Sequence, residues 1–255
     1  MEPNEYEVMA RVEEGHWWYR ALRDMLSHAL AGLDPPLPRH ARVLDAGCGT
    51  GANLKLLAAL LDPSYLGGFD LSALAVERAR AAVPRADVYT GDLRRPEVRV
   101  EPLDLVISMD VVCIPGVEAS MSGLRRLAEA LTPGGLLALH LPAHPWLYSR
   151  HDVAVHTSER YTQADVRDLM KALGLEVERL TYRVSLLFPL VVAARLGRLR
   201  RPGAPAAGVR SDLHHVPGPM LNRLLLATTR LENPLIAAGW RLPWGSSVLA
   251  IGRKY

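Results

Sequence analysis

The sequence predicts an α/β fold, a mostly parallel sheet with helices on both faces, and three observations predict it. From Arg42 onward, short apolar runs alternate with amphipathic helical patterns, the order that winds a parallel sheet. Val43-Leu44-Asp45 leads into Gly47, Gly49 and Gly51, and Ala52 to Leu61 follows as an apolar-rich stretch, which reads as a strand, a tight turn and a helix start. A second strand, Tyr65 to Phe69, ends in Asp70, with Ser72 placed to cap the next helix.

Bulk properties narrow the function classes. The chain's 255 residues suffice for one sizeable α/β domain with additions. A net charge of +3 is mild and does not call for nucleic acid. Cys48 and Cys113 are the whole cysteine complement, too few for a disulfide framework, so a cytoplasmic setting is expected. The acidic, polar start is unlike a signal peptide. The longest apolar run, Val184 to Ala194, falls short of the roughly twenty residues of a membrane span and suits a buried or interfacial helix.

Residues 5–32 read as one helical segment, with Trp17, Trp18 and Tyr19 consecutive in its middle. A helix spreads three consecutive aromatics around its circumference. The segment then either docks on the core through one tryptophan or closes over a ligand, with His16, Tyr19 or Arg20 reaching inward. Asp34-Pro35-Pro36-Leu37-Pro38 ends it as a stiff connector.

Glycine lets the backbone of the first turn take φ > 0 and lie against a ligand, while the helix start offers free N–H groups to an anionic one. Asp70 lies about twenty residues beyond that turn, the distance at which doubly wound folds set a carboxylate on ribose hydroxyls. The Asp45-x-Gly47-x-Gly49-x-Gly51 form resembles motif I of the class I methyltransferases that use S-adenosylmethionine. Later elements extend the resemblance over residues 42–141. Ala86 to Tyr89 is the third strand, followed by the polar turn Thr90-Gly91-Asp92-Leu93; Leu103 to Ser108 is the fourth, followed by Met109 and Asp110; and Pro133-Gly134-Gly135 precedes the fifth, Leu136 to Leu141. Between these last two strands, Met121, Leu124, Leu127, Ala128 and Leu131 mark the core face of a helix.

The resemblance implies a Rossmann-like seven-stranded sheet with an antiparallel last strand, and S-adenosylmethionine as cofactor. Gly47, Cys48, Gly49 and Gly51 would shape the methionyl site. Asp45 would orient the turn or receive the amino group, Asp70 with Leu71 would hold the ribose, Asp92 with Leu93 would bracket the adenine, and Met109 would line the transfer chamber. Tyr19 and Arg20 complete the expected cofactor set. For Asp92 the residues alone also allow an Asx-type turn.

Pro142 to Tyr161 lacks regular pattern but carries His144, His151 and His156. Their spacing matches no metal motif, so no metal is expected. His151 or His156 could act as general base, being half-charged near neutral pH, or be an ordinary loop histidine. Thr162 to Asp165 has capping-box spacing before a helix that ends at Gly174, Glu176 to Arg183 reads as the sixth strand, and Ser247 to Ile251 as the seventh. The chain departs from the family by a long insertion between these strands. It runs through the apolar stretch, Arg195, Arg198, Arg200 and Arg201, a Pro/Gly/Ala-rich loop, and a helical stretch from Met220 to Ala238. This reads as a lid with an apolar inner surface, a cap for a phosphate-bearing lipophilic ligand, or a peripheral membrane contact through 184–201.

The expected organisation is a helical lid segment at 1–38, a cofactor-binding core at 39–183, a helical insertion at 184–242 and the final strand at 243–255. The expected activity is O-, N- or C-methylation of a small, lipophilic acceptor, with a prenyl diphosphate as one alternative. A nicotinamide-dependent oxidoreductase and a non-catalytic cofactor-binding subunit are the alternatives of other classes.

Overall fold

The computed structural model of the protein describes residues 3–199 and 216–255; the expectations for Arg200 and Arg201 and for most of the Pro/Gly/Ala-rich loop lie outside the described residues. Two helices, α1 (Pro3–Val12) and α2 (Trp17–Ala31), precede the sheet. The first half of the core then alternates β1 (Arg42–Ala46), α3 (Ala52–Leu61), β2 (Tyr65–Asp70), α4 (Ala73–Ala82), β3 (Asp87–Thr90) and β4 (Leu103–Met109). It continues with α5 (Val117–Glu129), β5 (Leu131–Pro142), α6 (Arg150–Ala154), α7 (Gln163–Ala172) and β6 (Leu175–Arg183). The insertion carries α8 (Phe188–Leu199), α9 (Pro219–Arg230) and α10 (Asn233–Ala237), before β7 (Ser247–Lys254).

The seven strands form one sheet in the order β3-β2-β1-β4-β5-β7-β6. The first five pair in parallel, and β7 runs antiparallel to both β5 and β6. β6 therefore points the same way as β5, and six carboxyl ends share one edge, where open α/β sheets bind ligands. Both sheet faces are covered. Leu44, Val106 and Leu137 pack with Leu124 and Leu127 of α5 and Leu169 of α7 on one side. Val43, Leu105, Ile107 and Leu136 pack with Met25 and Leu26 of α2 and Leu54 and Leu57 of α3 on the other. That two-sided burial is why these strands read as continuous apolar runs instead of alternating ones.

The single helix expected over residues 5–32 is two. The break falls at Gly15-His16, where His16 caps α2 by accepting the Trp18 N–H on Nδ1 at 3.2 Å. Asn222 of α9 fixes this corner: its Oδ1 accepts the Trp17 N–H and its Nδ2 donates to the Gly15 carbonyl, both at 2.9 Å. The helical stretch from Met220 is likewise divided, because Pro234 begins α10 and cannot donate the hydrogen bond that would continue α9. Buried Glu232 between the two accepts the N–H groups of Val184 and Leu186, each at 2.8 Å, and ties the insertion's end to its beginning. Where β6 ends and β7 begins, Arg183 and Ser247 are register partners.

Candidate active site

A cavity of about 700 Å³ opens at the carboxyl edge of the sheet. The glycine turn after β1 forms its floor through Gly47, Cys48, Gly49 and Thr50, and Asp70, Leu71, Gly91, Asp92 and Leu93 form one side. Tyr6, Met9 and Glu13 from the N-terminal segment and Trp17, Trp18, Tyr19 and Leu22 from α2 close over it. Met109, Asp110, Val111 and Ile114, with Leu147, His151 and Val191, complete the wall.

The floor depends on two glycines in particular. Gly47 has φ +90°, and a Cβ there would lie 2.4 Å from a Val111 methyl. Gly51 has φ +94° and a Cβ on it would lie 2.9 Å from the Ala79 Cα. Gly51 is absent from the cavity wall; it lets α3 approach α4, a packing role in place of the expected ligand role. Asp45 is also displaced from expectation. Its carboxyl is fully buried, has no hydrogen-bond partner among the described residues, and is absent from the wall. Burial, reinforced by the nearby Asp70, pushes its pKa up to about 8.

Asp70 stands at the end of β2 and is well ordered by donors. Its Oδ2 accepts the Gly49 N–H at 3.0 Å, and its Oδ1 accepts the Ser72 N–H at 2.9 Å and the Tyr6 hydroxyl at 3.0 Å. Burial pushes the Tyr6 hydroxyl pKa strongly upward, and the Asp70 charge adds to it, so Tyr6 remains a donor. Thr50 Oγ1 donates to Glu13 at 2.7 Å, a second tie between the N-terminal segment and the turn. Asp92 lines the cavity, yet its carboxylate accepts the Arg94 backbone N–H at 2.9 Å, an Asx-type turn, and binds the Arg94 guanidinium at 2.6 Å. That partner holds the Asp92 carboxyl below the usual range. Both readings of Asp92 thus coexist in position.

On the wall formed by the loop after β4, three residues distant in sequence converge. Asp110, in the left-handed region at φ 58°, follows β4; its N–H donates to the His140 carbonyl at 2.9 Å, and its Oδ1 lies 2.8 Å from His140 Nδ1. His140 is wholly buried, and its Nε2 lies 3.4 Å from an Arg183 guanidinium nitrogen. Because arginine only donates, Nε2 accepts and Nδ1–H donates to Asp110. Arg183 itself is buried under Trp18, 4.9 Å from the ring centroid. Burial lowers its pKa to about 10, opposed by Asp110 and Glu232, so it stays cationic at neutral pH.

The remaining sequence-based candidates divide. Tyr19 and His151 reach the wall, as do Cys48, Leu71 and Met109. Arg20 does not, because the inward face of α2 runs through Trp18, Tyr19, Leu22 and Arg23 and Arg20 falls beside it. His156 is exposed after α6 while its neighbours Val155 and Thr157 line the wall. Burial pushes the Cys48 and Cys113 thiol pKa values strongly upward, which removes them as nucleophiles. Asp152, almost fully buried, accepts from Arg160 at 2.8 Å and from the Ser149 N–H, so this acid is an anchor for α6. Among the described residues no cluster of metal-ligating side chains occurs.

Sequence reasoning missed Tyr6, Met9 and Glu13, which carry no motif, and the pair His140 and Arg183. The available signal for the latter was a lone histidine inside the otherwise apolar β5 and an arginine ending β6, two polar residues at the ligand-binding edge.

Residues 43–135 match the family model described as "Methyltransferase domain". A trans-aconitate 2-methyltransferase of Paracidovorax citrulli is 28% identical over 161 residues, 56% of this chain and 61% of that protein. A probable S-adenosylmethionine-dependent methyltransferase of Mycolicibacterium smegmatis is 28% identical over 171 residues, 65% of this chain and 62% of that protein. The chain thus spans less than two thirds of the length of these curated relatives. Among solved structures, a chain from the complex between the Haloferax volcanii Trm112 methyltransferase activator and the putative methyltransferase superposes with a TM-score of 0.60 at 19% identity. That match covers 98% of this chain and 94% of the other, a likeness of fold. The glycine turn and the Asp70 carboxylate, which share the cavity wall and are joined by the Gly49 N–H, suit the nucleoside and amino-acid parts of S-adenosylmethionine. Residues 43–135 thus match a methyltransferase domain, and the seven-stranded sheet that holds them has the Rossmann-like fold seen in S-adenosylmethionine-dependent methyltransferases.

Proposed function

We propose that this chain methylates a small, partly apolar acceptor through a hydroxyl or amine group. The observation that carries the reading is the Asp110 carboxylate, which lines the cavity in the loop packed beside the glycine turn and is braced by His140, itself held by Arg183. When bound, S-adenosylmethionine supplies an electrophilic methyl on a sulfonium, so the chain's tasks are positioning and charge management. Gly47 to Thr50 and Asp70 would hold it, with Leu71, Asp92 and Leu93 beside the base. Asp110 would accept the hydrogen bond of the acceptor's O–H or N–H and take its proton as the nucleophilic atom gains the methyl. His140 and Arg183 act as positioning residues for that carboxylate. Trp17, Trp18, Leu22, Leu147 and Val191 supply apolar walls that exclude water.

An anionic acceptor fits these walls less well. Asp110 presents negative charge where it would bind, and two of the four arginines on the wall, Arg94 and Arg160, are committed to Asp92 and Asp152. That weighs against a prenyl diphosphate, and against a tricarboxylate of the kind named for the Paracidovorax relative. His151 remains the alternative base. Calorimetry with S-adenosylhomocysteine and NADH, followed by methyl transfer to phenols, amines and trans-aconitate, tests the reading. S-adenosylhomocysteine should bind and lose affinity with Asp70→Ala. Asp110→Asn should keep that affinity and lower turnover about a hundredfold. Preference for NADH, for trans-aconitate, or full turnover by Asp110→Asn would each sink it.

A further inference from the structure

We propose that the outward face of α9, with the tryptophan-bearing loop after α10, docks on an anionic lipid surface. This is independent of the reaction the cavity performs. Ten of the sixteen large apolar side chains exposed among the described residues fall within 184–246, far more than that quarter of the chain would carry by chance. On α9 they are ordered. Met220, Leu224, Ala227 and Leu231 follow an i, i+4, i+7, i+11 spacing and are all exposed, so they form one stripe along the helix. The opposite side of α9 is already occupied, with Leu226 and Thr229 buried and Asn222 bonded to the corner before α2. A helix apolar on both its inner and outer faces is one whose outer face meets a second apolar medium.

Charge identifies that medium. Between residues 184 and 246 the sequence holds eight arginines and no lysine against two acids, Asp212 and Glu232, and Glu232 is buried. The segment is therefore strongly cationic, while the whole chain carries only +3 and the remainder is net acidic. Arg223 flanks the α9 stripe and is exposed, as is Arg241 between Trp240 and Trp244. Those tryptophans are 63% and 52% exposed. An apolar stripe beside guanidinium groups and open indoles matches the boundary between acyl chains and anionic headgroups, where tryptophan is favoured and each cation gains from the surface potential. No described helix is long and apolar enough to cross a membrane, so contact is from one side. The surface also differs from the 184–201 stretch expected from sequence, since α8 turns Val191, Ala194 and Arg195 toward the cavity.

The test is co-sedimentation of the full chain with sucrose-loaded vesicles of phosphatidylcholine alone or mixed with phosphatidylglycerol. The chain should pellet with the anionic vesicles, remain in solution with the neutral ones, and be released by salt. The double variant Leu224→Glu with Leu231→Glu should lower partitioning more than tenfold, and Arg223→Glu or Arg241→Glu about fivefold each. Circular dichroism and S-adenosylhomocysteine affinity should match the unaltered chain in all three, since none of these residues touches the cavity. Failure to bind anionic vesicles would overturn the proposal, as would binding that survives the double variant. A lipid-free dimer that the double variant dissolves, read by light scattering, would instead assign the face to a second copy and also overturn it.

Discussion

Replacing Tyr6 with phenylalanine should tighten the binding of S-adenosylhomocysteine, and the lone pairs of Asp70 give the reason. A carboxylate offers about four lone-pair sites. Three are taken, by the Tyr6 hydroxyl, the Ser72 N–H and the Gly49 N–H, at 3.0, 2.9 and 3.0 Å. Two ribose hydroxyls need two sites, so one present donor must leave. The N–H donors are fixed in the backbone after β2 and β1, whereas Tyr6 belongs to a helix ahead of the core and can withdraw. A hydrogen bond to a charged group contributes about 1.5–3 kcal/mol net. Deleting it from the ligand-free state alone should therefore raise affinity about tenfold or more, since about 1.4 kcal/mol is a factor of ten. Titration calorimetry of the wild type and Tyr6→Phe reads this directly, with Asp70→Asn as the control in which the tyrosine has lost its charged partner. Equal or weaker binding by Tyr6→Phe would refute the reasoning, because it would mean that the tyrosine stays on Asp70 beside the ligand and helps to hold it.

Two further substitutions test the floor of the cavity. Gly47→Ala must place a side chain at φ +90° and 2.4 Å from Val111; the strain and overlap should destabilise the fold by about 2–4 kcal/mol in denaturant titration. Gly134→Ala, at φ +83° with open space around it, should cost only the backbone part, about 1 kcal/mol; similar losses at both sites would discount the close approach to Val111. Asp45→Asn tests the buried acid. A folded-state pKa raised to about 8 means that stability is present at low pH and is lost as pH climbs from the unfolded value toward 8. The variant, which cannot ionise, should thus match the wild type near pH 4 and gain on it by about 1.4 kcal/mol per pH unit above that. A difference independent of pH, measured by thermal unfolding across the range, would show that Asp45 is not forced to ionise without a partner.

The sheet was legible because its signals are local. The glycines after β1, the acid ending β2 and the Pro-Gly-Gly in β5 each report one turn, and apolar runs report burial on two faces. Asp70 was found from its distance to the turn alone. The corner at His16 was not, since an imidazole is an uncommon helix cap and only the Trp18 N–H reveals it. His140 and Arg183 escaped for a different reason. Asp110 and His140 meet across the parallel β4–β5 pair, and Arg183 joins them because β6 lies parallel to β5 across an antiparallel β7, a pairing that no window of sequence contains. The loop histidines divide: His151 reaches the cavity wall, whereas the left-handed backbone at φ 60° where α6 ends leaves His156 exposed.

The register pairing of Arg183 with Ser247 means that everything from 184 to 246 leaves the sheet and returns to it at a single point. In topological terms β6 and β7 are a hairpin, and the insertion is its loop. A two-residue turn could close the same ladder, and loop length adds closure entropy only logarithmically. The sheet is therefore nearly indifferent to what the hairpin carries. The wall supplied by α8 and the outward face of α9 are open to change at little cost to the ladder, whereas Asn222 at the corner before α2 and Ile236 in the core hold the insertion's inner side in place.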